Sequence, residues 1–402
     1  VPMTYHEHDI IGVLQLINTI DKNTNKIISF SALDQQLIES LASQAAVTIT
    51  NKTLINAQKN LFDSFIQLIA TAIDEKSPYT AKHCRRVPVI TDMLADATNK
   101  IDRGPLKDFS MNDNEMYELN VAAWLHDCGK ITTPEYVVDK STKLETIFDR
   151  INLVDIRFEV LKRDAVITAL KAIIKENKDC DDIDKELENN SALKNRLKDL
   201  DDERIEIEKY NIGGESLLDN DLERIKELSE NVYENSVGES VHLLNDNEVE
   251  NLQISRGTLN RKEREIINNH VSMTIKMLES LPYPKHLKNV PEFAGCHHEK
   301  MDGTGYPNKL KGNQMSIPAR MIAIADIFEA LTAGDRPYKK GMSLSRALKI
   351  LGRMKLENHI DPDLFDVFID KKIYLIYAKE HLNEDQIDEI NFQDIPGYNP
   401  LN

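Results

Sequence analysis

Two adjacent pairs of side chains that can bind metal, His126-Asp127 and His297-His298, constrain how this chain can fold. Side chains of neighbouring residues on a helix point about 100° apart, so such a pair can bind a cluster of two ions from different sides. A carboxylate in the pair can bridge the two ions. His126-Asp127 follows the apolar segment AAWL and precedes Gly129, a residue type that commonly ends a helix. We therefore expect both pairs to lie at helix ends beside a metal cluster.

Two further helical segments each carry one side chain of the same kind. The segment REIINNHVSMTIKML has His270 among apolar positions, and the segment from Pro318 to Gly334 has Asp326 in an otherwise apolar helix. Burying an unpaired carboxylate costs several kcal/mol, so Asp326 needs a cation or a strong hydrogen-bond donor. These residues together favour a metal site over isolated core residues.

Composition excludes several classes of protein. The chain has 402 residues, 41% of them hydrophobic, which is typical of a globular protein with two or three domains. Its net charge of −17 argues against a surface for DNA, RNA or anionic membranes, while a local basic pocket for a nucleotide stays open. The four cysteines include no CxxC pair, which favours a reducing compartment, and we expect a cytoplasmic location. Because residue 1 is Val, we expect a segment of a longer protein.

The N-terminal part changes character near residue 33. Residues 1–30 are rich in β-formers, whereas apolar residues from Leu33 to about Ile73 recur at helical spacing without Gly or Pro. The pattern IGVLQLIN followed by LIESLASQAAVTITN resembles the end of a GAF domain, over residues 1–56. The exposed apolar stripe predicts a parallel homodimer through this connecting helix, with packing against the chain's own helices as the alternative.

The middle of the chain predicts an antiparallel helical hairpin. Residues 143–210 contain two segments with helical periodicity and dense charge, and Gly213-Gly214 closes them. This hairpin lies between the first and second groups of candidate ligands.

The motifs HDCGK, HHEKMDGTGYP and IADIFEALTAGDRPYKK resemble the HD-GYP subgroup of the HD phosphohydrolase superfamily. The resemblance implies a mainly α protein: an all-helical HD-type catalytic domain with a helical insertion, plus a small α/β N-terminal sensory remnant. It also implies hydrolysis of cyclic di-GMP. The expected divisions are residues 1–56 (GAF-like), 33–75 (connecting helix), 62–140 and 257–377 (catalytic), 141–256 (insertion) and 378–402 (tail).

The same resemblance implies a set of metal ligands. Asp127 would bridge two ions, and the full set is His126, Asp127, His270, His297, His298 and Asp326. Members with three metals resemble one another in having a glutamate four residues before the position of His83, where this chain has Tyr79. We therefore expect two transition metals. His83 would either contact a ligand from behind without binding a metal, or be a weak ligand itself. Iron or manganese suits this donor set, while zinc, nickel and magnesium stay open.

Catalytic and substrate-binding residues are expected beside the metals. Lys130, Asp127 and Asp302 are candidate catalytic residues, and Lys130 is placed to give charge or a proton to a phosphate. Arg336 and Lys339 resemble the family's phosphate-binding pair, with solvated surface charge as the alternative. The turn with Gly303, Gly305 and Pro307 would approach the ligand closely, and Tyr306 would stack on guanine or brace the loop.

Two other functions compete with hydrolysis of cyclic di-GMP. The chain could act on another cyclic dinucleotide such as 3′,3′-cGAMP, because metals recognise phosphate and not base. It could also bind cyclic di-GMP as a scaffold without cleaving it, although the full ligand set and Lys130 argue against that alternative.

Overall fold

The polypeptide divides into two units, Val1–Ile69 and Ala70–Asn402. The computed structural model describes residues 1–5, 9–76, 82–176, 183–213, 217–235, 237–334 and 341–400. Within those ranges no helix combines the length and apolar character needed to cross a lipid bilayer.

The first unit contains two short antiparallel sheets and most of a long helix. Its strands are β1 Pro2–Tyr5 paired with β2 Asp9–Val13, and β3 Thr19–Ile20 paired with β4 Ile27–Ile28. Helix α1, Ala32–Lys76, starts at a local cap in which the Asp34 carboxylate accepts hydrogen bonds from the Ser31 amide and hydroxyl. The predicted strands followed by one long helix are confirmed.

Four short segments of the second unit precede the insertion. They are α2 His83–Thr98, α3 Asp113–Leu125, a single 3₁₀ helix Cys128–Thr132 and α4 Glu135–Val138. Helix α3 begins with a capping box between Asn112 and Glu115, and it ends at His126. The predicted helix end at the His-Asp pair is confirmed.

The insertion has a hydrophobic core of its own. Its elements are α5 Ile151–Glu176, α6 Ile183–Asn189, α7 Ser191–Asn211, α8 Asp219–Ser229, the hairpin β5 Val232–Glu234 and β6 Ser240–His242, and α9 Asp246–Leu252. Ion pairs join Asp155 to Arg204 and Lys162 to Asp201, so α5 and α7 run antiparallel as predicted.

The predicted helix starting at residue 143 is wrong for its first turns, because α5 begins only at Ile151. The Lys143 amide donates to the backbone oxygen of Asn211, and the Leu144 amide donates to the Asn211 side chain. These bonds to the end of α7 replace the helical bonds that the local periodicity favours.

Six α-helices follow the insertion in the part of the chain that the structure describes. They are α10 Arg261–Glu279, α11 Val290–Gly295, α12 Ile317–Thr332, α13 Leu344–Leu356, α14 Pro362–Asp370 and α15 Ile373–His381. The predicted tail, residues 378–402, starts inside α15 and packs on the domain over its described part. Ile395 is buried, and the backbone of Pro396 lies against Gly352.

Candidate metal centre

Five elements of the second unit bring the seven candidate ligands into one cluster. Helix α2 supplies His83 at its first position, the end of α3 supplies His126 and Asp127, and α10 supplies His270. His297 and His298 follow the end of α11, and Asp326 lies in the middle of α12. The helix ends place the adjacent pairs where neighbouring side chains diverge, as their sequence predicts.

Asp127 stands between two groups of imidazoles. Its Oδ2 atom lies 3.3 Å from His83 Nε2 and 3.4 Å from His126 Nε2. Its Oδ1 atom lies 3.2 Å from His270 Nε2 and 3.9 Å from His297 Nε2. Each carboxylate oxygen therefore faces a different group, which is the arrangement a bridging ligand between two ions requires.

The donor atoms form two groups that could each hold an ion. His83, His126 and Asp127 make one group and His270, His297 and His298 the other, with the ligand atoms of each group within 4.8 Å of one another. Asp326 Oδ1 lies 3.3 Å from His83 Nε2 and joins the first group. The pattern fits two ions.

Three buried polar atoms at the centre have no hydrogen-bond partner: Asp127 Oδ1, His270 Nε2 and His297 Nε2. Leaving a buried polar atom unsatisfied costs about 1–3 kcal/mol. Metal coordination would satisfy all three, so the residues present fit a pair of transition metal ions.

Three imidazoles are oriented by the backbone. The Nδ1 atoms of His126, His270 and His297 lie 2.8, 2.5 and 2.6 Å from carbonyl oxygens three residues earlier in the chain. Because a carbonyl can only accept, each Nδ1 carries the proton and each Nε2 has a free lone pair directed at the cluster. This is the tautomer that metal ligation through Nε2 needs.

His83 is held differently, by a buried carboxylate. Its Nδ1 atom lies 2.5 Å from Glu329 Oε2, and Glu329 Oε1 accepts a hydrogen bond of 3.1 Å from Arg86. Its Nε2 atom lies among the ligand atoms and not behind them. Of the two predicted roles for His83, the geometry favours that of a ligand over a position behind the ligands.

Charge and burial act in opposite directions on the ionisable groups. Burial raises the pKa of Asp127, but Lys130 and His126 outweigh it and hold that pKa well below its usual range. Burial lowers the pKa of His298 to about 4. Burial and the neighbouring His298 together lower the pKa of His297 well below its ordinary value. Asp127 is thus ionised, and His297 and His298 are neutral, which are the protonation states that bind metal. The carboxylates of Glu329, Asp127 and Asp326 outweigh burial and raise the pKa of His83 well above its ordinary value, so an ion would have to displace its proton.

Residues 126–133, here called the HD turn, are fastened to α10 by Thr274. The Thr274 hydroxyl accepts a 2.9 Å hydrogen bond from the Gly129 amide and donates a 3.2 Å bond to the His126 carbonyl oxygen. Gly129 has no side chain to hold the two elements apart. Lys130, one residue on, places Nζ 2.6 Å from Asp127 Oδ2. The HD turn thus carries both the candidate bridging carboxylate and an ammonium group within hydrogen-bond distance of it.

The Gly-Tyr-Pro segment braces the second group of ligands. The Tyr306 ring stacks on the His298 ring with centroids 4.9 Å apart, and the following peptide to Pro307 is cis. Gly303 has a φ of +83°, a value that favours glycine, and a Cβ at Gly305 would lie 2.5 Å from Glu299 Cα. Of the two predicted roles for Tyr306, its position favours bracing.

Some predicted residues lie outside this cluster. Asp302 is exposed, and its carboxylate accepts hydrogen bonds from the Thr304 amide and hydroxyl; within the described chain it makes no ion pair or hydrogen bond to a candidate ligand. Its position favours a turn-forming role over a catalytic one. Arg336, Lys339 and Tyr79 lie outside the described residues.

The residues that sequence reasoning missed are the ones that hold ligands in place. Glu329 is three residues after Asp326 and shares its helix face, which is a signal that the sequence does contain. Arg86 and Thr274 carry no comparable signal, since their partners are remote in sequence. The three described cysteines, Cys84, Cys128 and Cys296, are buried and unpaired, as expected.

A family model for the HD domain matches residues 247–364. This range starts in the last part of the predicted insertion and contains four of the candidate ligands, and the rest of the insertion separates it from His126 and Asp127. Residues 247–364 therefore carry an HD domain. The predicted HD-GYP resemblance is confirmed, whereas the GAF resemblance of residues 1–56 is not and stays a prediction.

Relatives of known activity align with this HD-domain chain over very different lengths. A 3′3′-cGAMP-specific phosphodiesterase of Vibrio cholerae is 39% identical over 377 residues, which cover 89% of this chain and 53% of the relative. A cyclic di-GMP phosphodiesterase of Pseudomonas aeruginosa is 44% identical over 73 residues, 18% of this chain and 17% of the relative. A cyclic di-GMP phosphodiesterase of Thermotoga maritima is 31% identical over 126 residues, which cover 31% of this chain and 33% of the relative. The chain therefore spans about half of the length of the first relative and a third or less of the length of the other two.

Proposed function

We propose that this HD-domain chain is a metal-dependent phosphodiesterase that opens a cyclic dinucleotide, with cyclic di-GMP as the main substrate. The observation that carries the proposal is the position of Asp127, whose two oxygens face separate groups of imidazoles. A phosphodiester anion repels nucleophiles, and a pair of bound ions supplies the activated water and the positive charge that overcome this repulsion.

The chain's own residues would hold and orient the reactants. One ion would be bound by His83, His126 and Asp326. The other ion would be bound by His270, His297 and His298, and Asp127 would bind both ions. Lys130 is the described ammonium group nearest to the bridge, and burial has not made it neutral: the pKa of Lys130 is raised, because Asp127 and Asp326 outweigh burial. It would neutralise a non-bridging phosphate oxygen or protonate the departing 3′-oxygen. Arg336 and Lys339 stay proposed phosphate contacts.

A second substrate, 3′,3′-cGAMP, is favoured by one specific observation. The alignment with the cGAMP-specific relative of Vibrio cholerae covers 89% of this chain, so it extends into the insertion at residues 141–256, whereas both cyclic di-GMP phosphodiesterases named above align over less than a third of the chain. Base preference is therefore the open part of the proposal, and the phosphodiester chemistry is common to both substrates.

The test is turnover of both cyclic dinucleotides by protein purified without oxygen. We expect hydrolysis, detected by chromatography of the linear dinucleotide or mononucleotide product, and loss of both turnover and metal in Asp127→Ala. Asp108→Ala, which changes an exposed aspartate, is the matched control and should keep both.

Binding without turnover by the fully loaded protein would favour the scaffold alternative. Normal metal content and turnover in Asp127→Ala would overturn the site.

We also propose that the chain forms a parallel homodimer along α1. Eleven large apolar side chains on this helix are exposed in the single chain, and they include Leu33, Leu37, Leu41, Leu54, Leu61 and Ile69. A second copy of the helix would cover them. Sedimentation of the wild type and of Leu41→Glu/Leu54→Glu tests the proposal: we expect a dimer and a monomer respectively, and a wild-type monomer at micromolar concentration would contradict it.

A further inference from the structure

The last turn of α1 contacts both segments that carry the first group of ligands. Asp74 and Lys76 lie in this turn, and both belong to the second unit. Asp74 is buried, and Lys76 is partly buried. Their partners are the start of α2, which carries His83, and the HD turn, which carries Asp127 and Lys130.

Lys76 takes the place of a C-terminal cap for the 3₁₀ helix in the HD turn. Its ammonium group donates to the carbonyl oxygens of Lys130, Ile131 and Thr133 at 3.2, 2.5 and 2.5 Å. An ammonium group has three protons, so all its donors are used on this one stretch of backbone. A cation at the C-terminal end of a helix also complements the negative end of its dipole.

Asp74 performs the matching role at the start of α2. The residue before this helix, Lys82, has a φ of 78° and gives no side-chain cap. The Asp74 carboxylate instead accepts hydrogen bonds from the backbone amides of Lys82 and Cys84 at 3.2 and 3.4 Å. These amides lie on either side of His83, and they would otherwise have no acceptor at a helix start.

We propose that the last turn of α1 positions the catalytic centre, with Lys76 fixing the HD turn and Asp74 fixing the start of α2. This inference rests on the proposed function. Neither residue is a candidate ligand, so each would act through another residue: Lys76 through Lys130 and Asp127, and Asp74 through His83. A displacement of this turn would then change the rate of the reaction while the ligand set stays complete.

Lys76→Met is the first test, because methionine keeps most of the side-chain length and removes all three donors. When a group that orients the reactants is displaced by about 1 Å, the rate falls by about 100-fold. We expect kcat to fall about 10- to 100-fold with metal content unchanged, and Lys76→Arg, which keeps several donors, to recover most of the loss. Lys52→Met changes an exposed lysine of the same helix and should leave kcat unchanged.

A second readout does not depend on turnover. The amide of Thr133 donates to the Lys130 carbonyl oxygen and the amide of Lys130 to the Asp127 carbonyl oxygen, so both report on the HD turn. Hydrogen exchange at these amides should be faster in Lys76→Met than in the wild type and in Lys52→Met. Asp74→Leu, which removes both acceptor oxygens, should accelerate exchange at Lys82 and Cys84 in the same way.

The outcomes separate the two proposals. Unchanged exchange and unchanged kcat in Lys76→Met would overturn the positioning role, as would a loss of kcat that only follows a loss of metal. If the wild type hydrolyses no cyclic dinucleotide, the proposed function fails, while faster exchange in the HD turn would still support the capping role of Lys76.

Discussion

Replacing Gly129 by alanine tests whether close packing of the HD turn on α10 holds the metal centre together. A Cβ at this position would lie 2.0 Å from the carbonyl oxygen of His270, 2.6 Å from the amide nitrogen of Thr274 and 2.8 Å from its hydroxyl. Two of these three atoms are backbone. They can move only if α10 or the HD turn moves.

The size of the effect follows from those distances. Unbonded heavy atoms normally stay about 3.5 Å apart, so the two elements would have to separate by more than ~1 Å. That movement would carry His270 Nε2 away from Asp127 Oδ1, which lies 3.2 Å from it. Overpacking costs about 1–3 kcal/mol in ordinary cores, and backbone contacts leave less room for relief. A shift of this size in a reacting centre lowers the rate by about 100-fold.

The assay compares Gly129→Ala with the wild type in three respects: metal per chain, kcat on cyclic di-GMP and the midpoint of thermal unfolding. We expect all three to fall, with the loss of metal from the His270 group preceding unfolding. Gly12→Ala is the matched control, because its Cβ would meet only the Met3 sulfur at 3.7 Å, an ordinary contact. Wild-type metal content and kcat in Gly129→Ala would refute the packing argument.

Three other predictions concern buried polar groups of the second unit. Thr274→Val should destabilise the protein by about 1–2 kcal/mol in denaturant unfolding and lower metal content, because it removes both hydrogen bonds between α10 and the HD turn; unchanged values would contradict this. Lys140→Met should lower the free energy of unfolding by about 3–5 kcal/mol, because it leaves the buried carboxylate of Glu263 without its ammonium partner. The double variant Lys140→Met/Glu263→Met should recover most of that loss. Burial lowers the pKa of Lys143 to about 8, so between pH 8 and about 10.4 this lysine is protonated in the unfolded chain and neutral in the folded chain, and its contribution to the free energy of unfolding rises with pH. Lys143→Met should therefore make the slope of that free energy against pH less positive than in the wild type, and equal slopes in both proteins would disprove the argument.

Much of the metal centre could be predicted because its ligands are marked locally. Adjacent polar pairs at the ends of apolar helices, and a carboxylate inside an apolar helix, are anomalies that a short window of sequence reveals. His270 was found in the same way, although the insertion separates it from Asp127.

The supporting residues could not be predicted in that way. Lys76 and Asp74 look like ordinary charged residues at the end of a long helix, and only the fold brings them to the HD turn and the start of α2. The orientation of His83 could not be predicted for the same reason, since the partner that orients it, Glu329, lies on a helix that is distant in sequence. The false helical start at residue 143 arose because tertiary bonds to Asn211 overrode a local periodicity.

The most direct test of the account is to titrate iron(II) or manganese(II) into metal-free protein under anaerobic conditions, while measuring bound metal and hydrolysis of cyclic di-GMP in the same samples. The account predicts that both quantities level off together at about two ions per chain, because the two oxygens of Asp127 face separate groups of donors. Full activity at one ion per chain, a reproducible third ion, or hydrolysis that does not depend on added metal would contradict it.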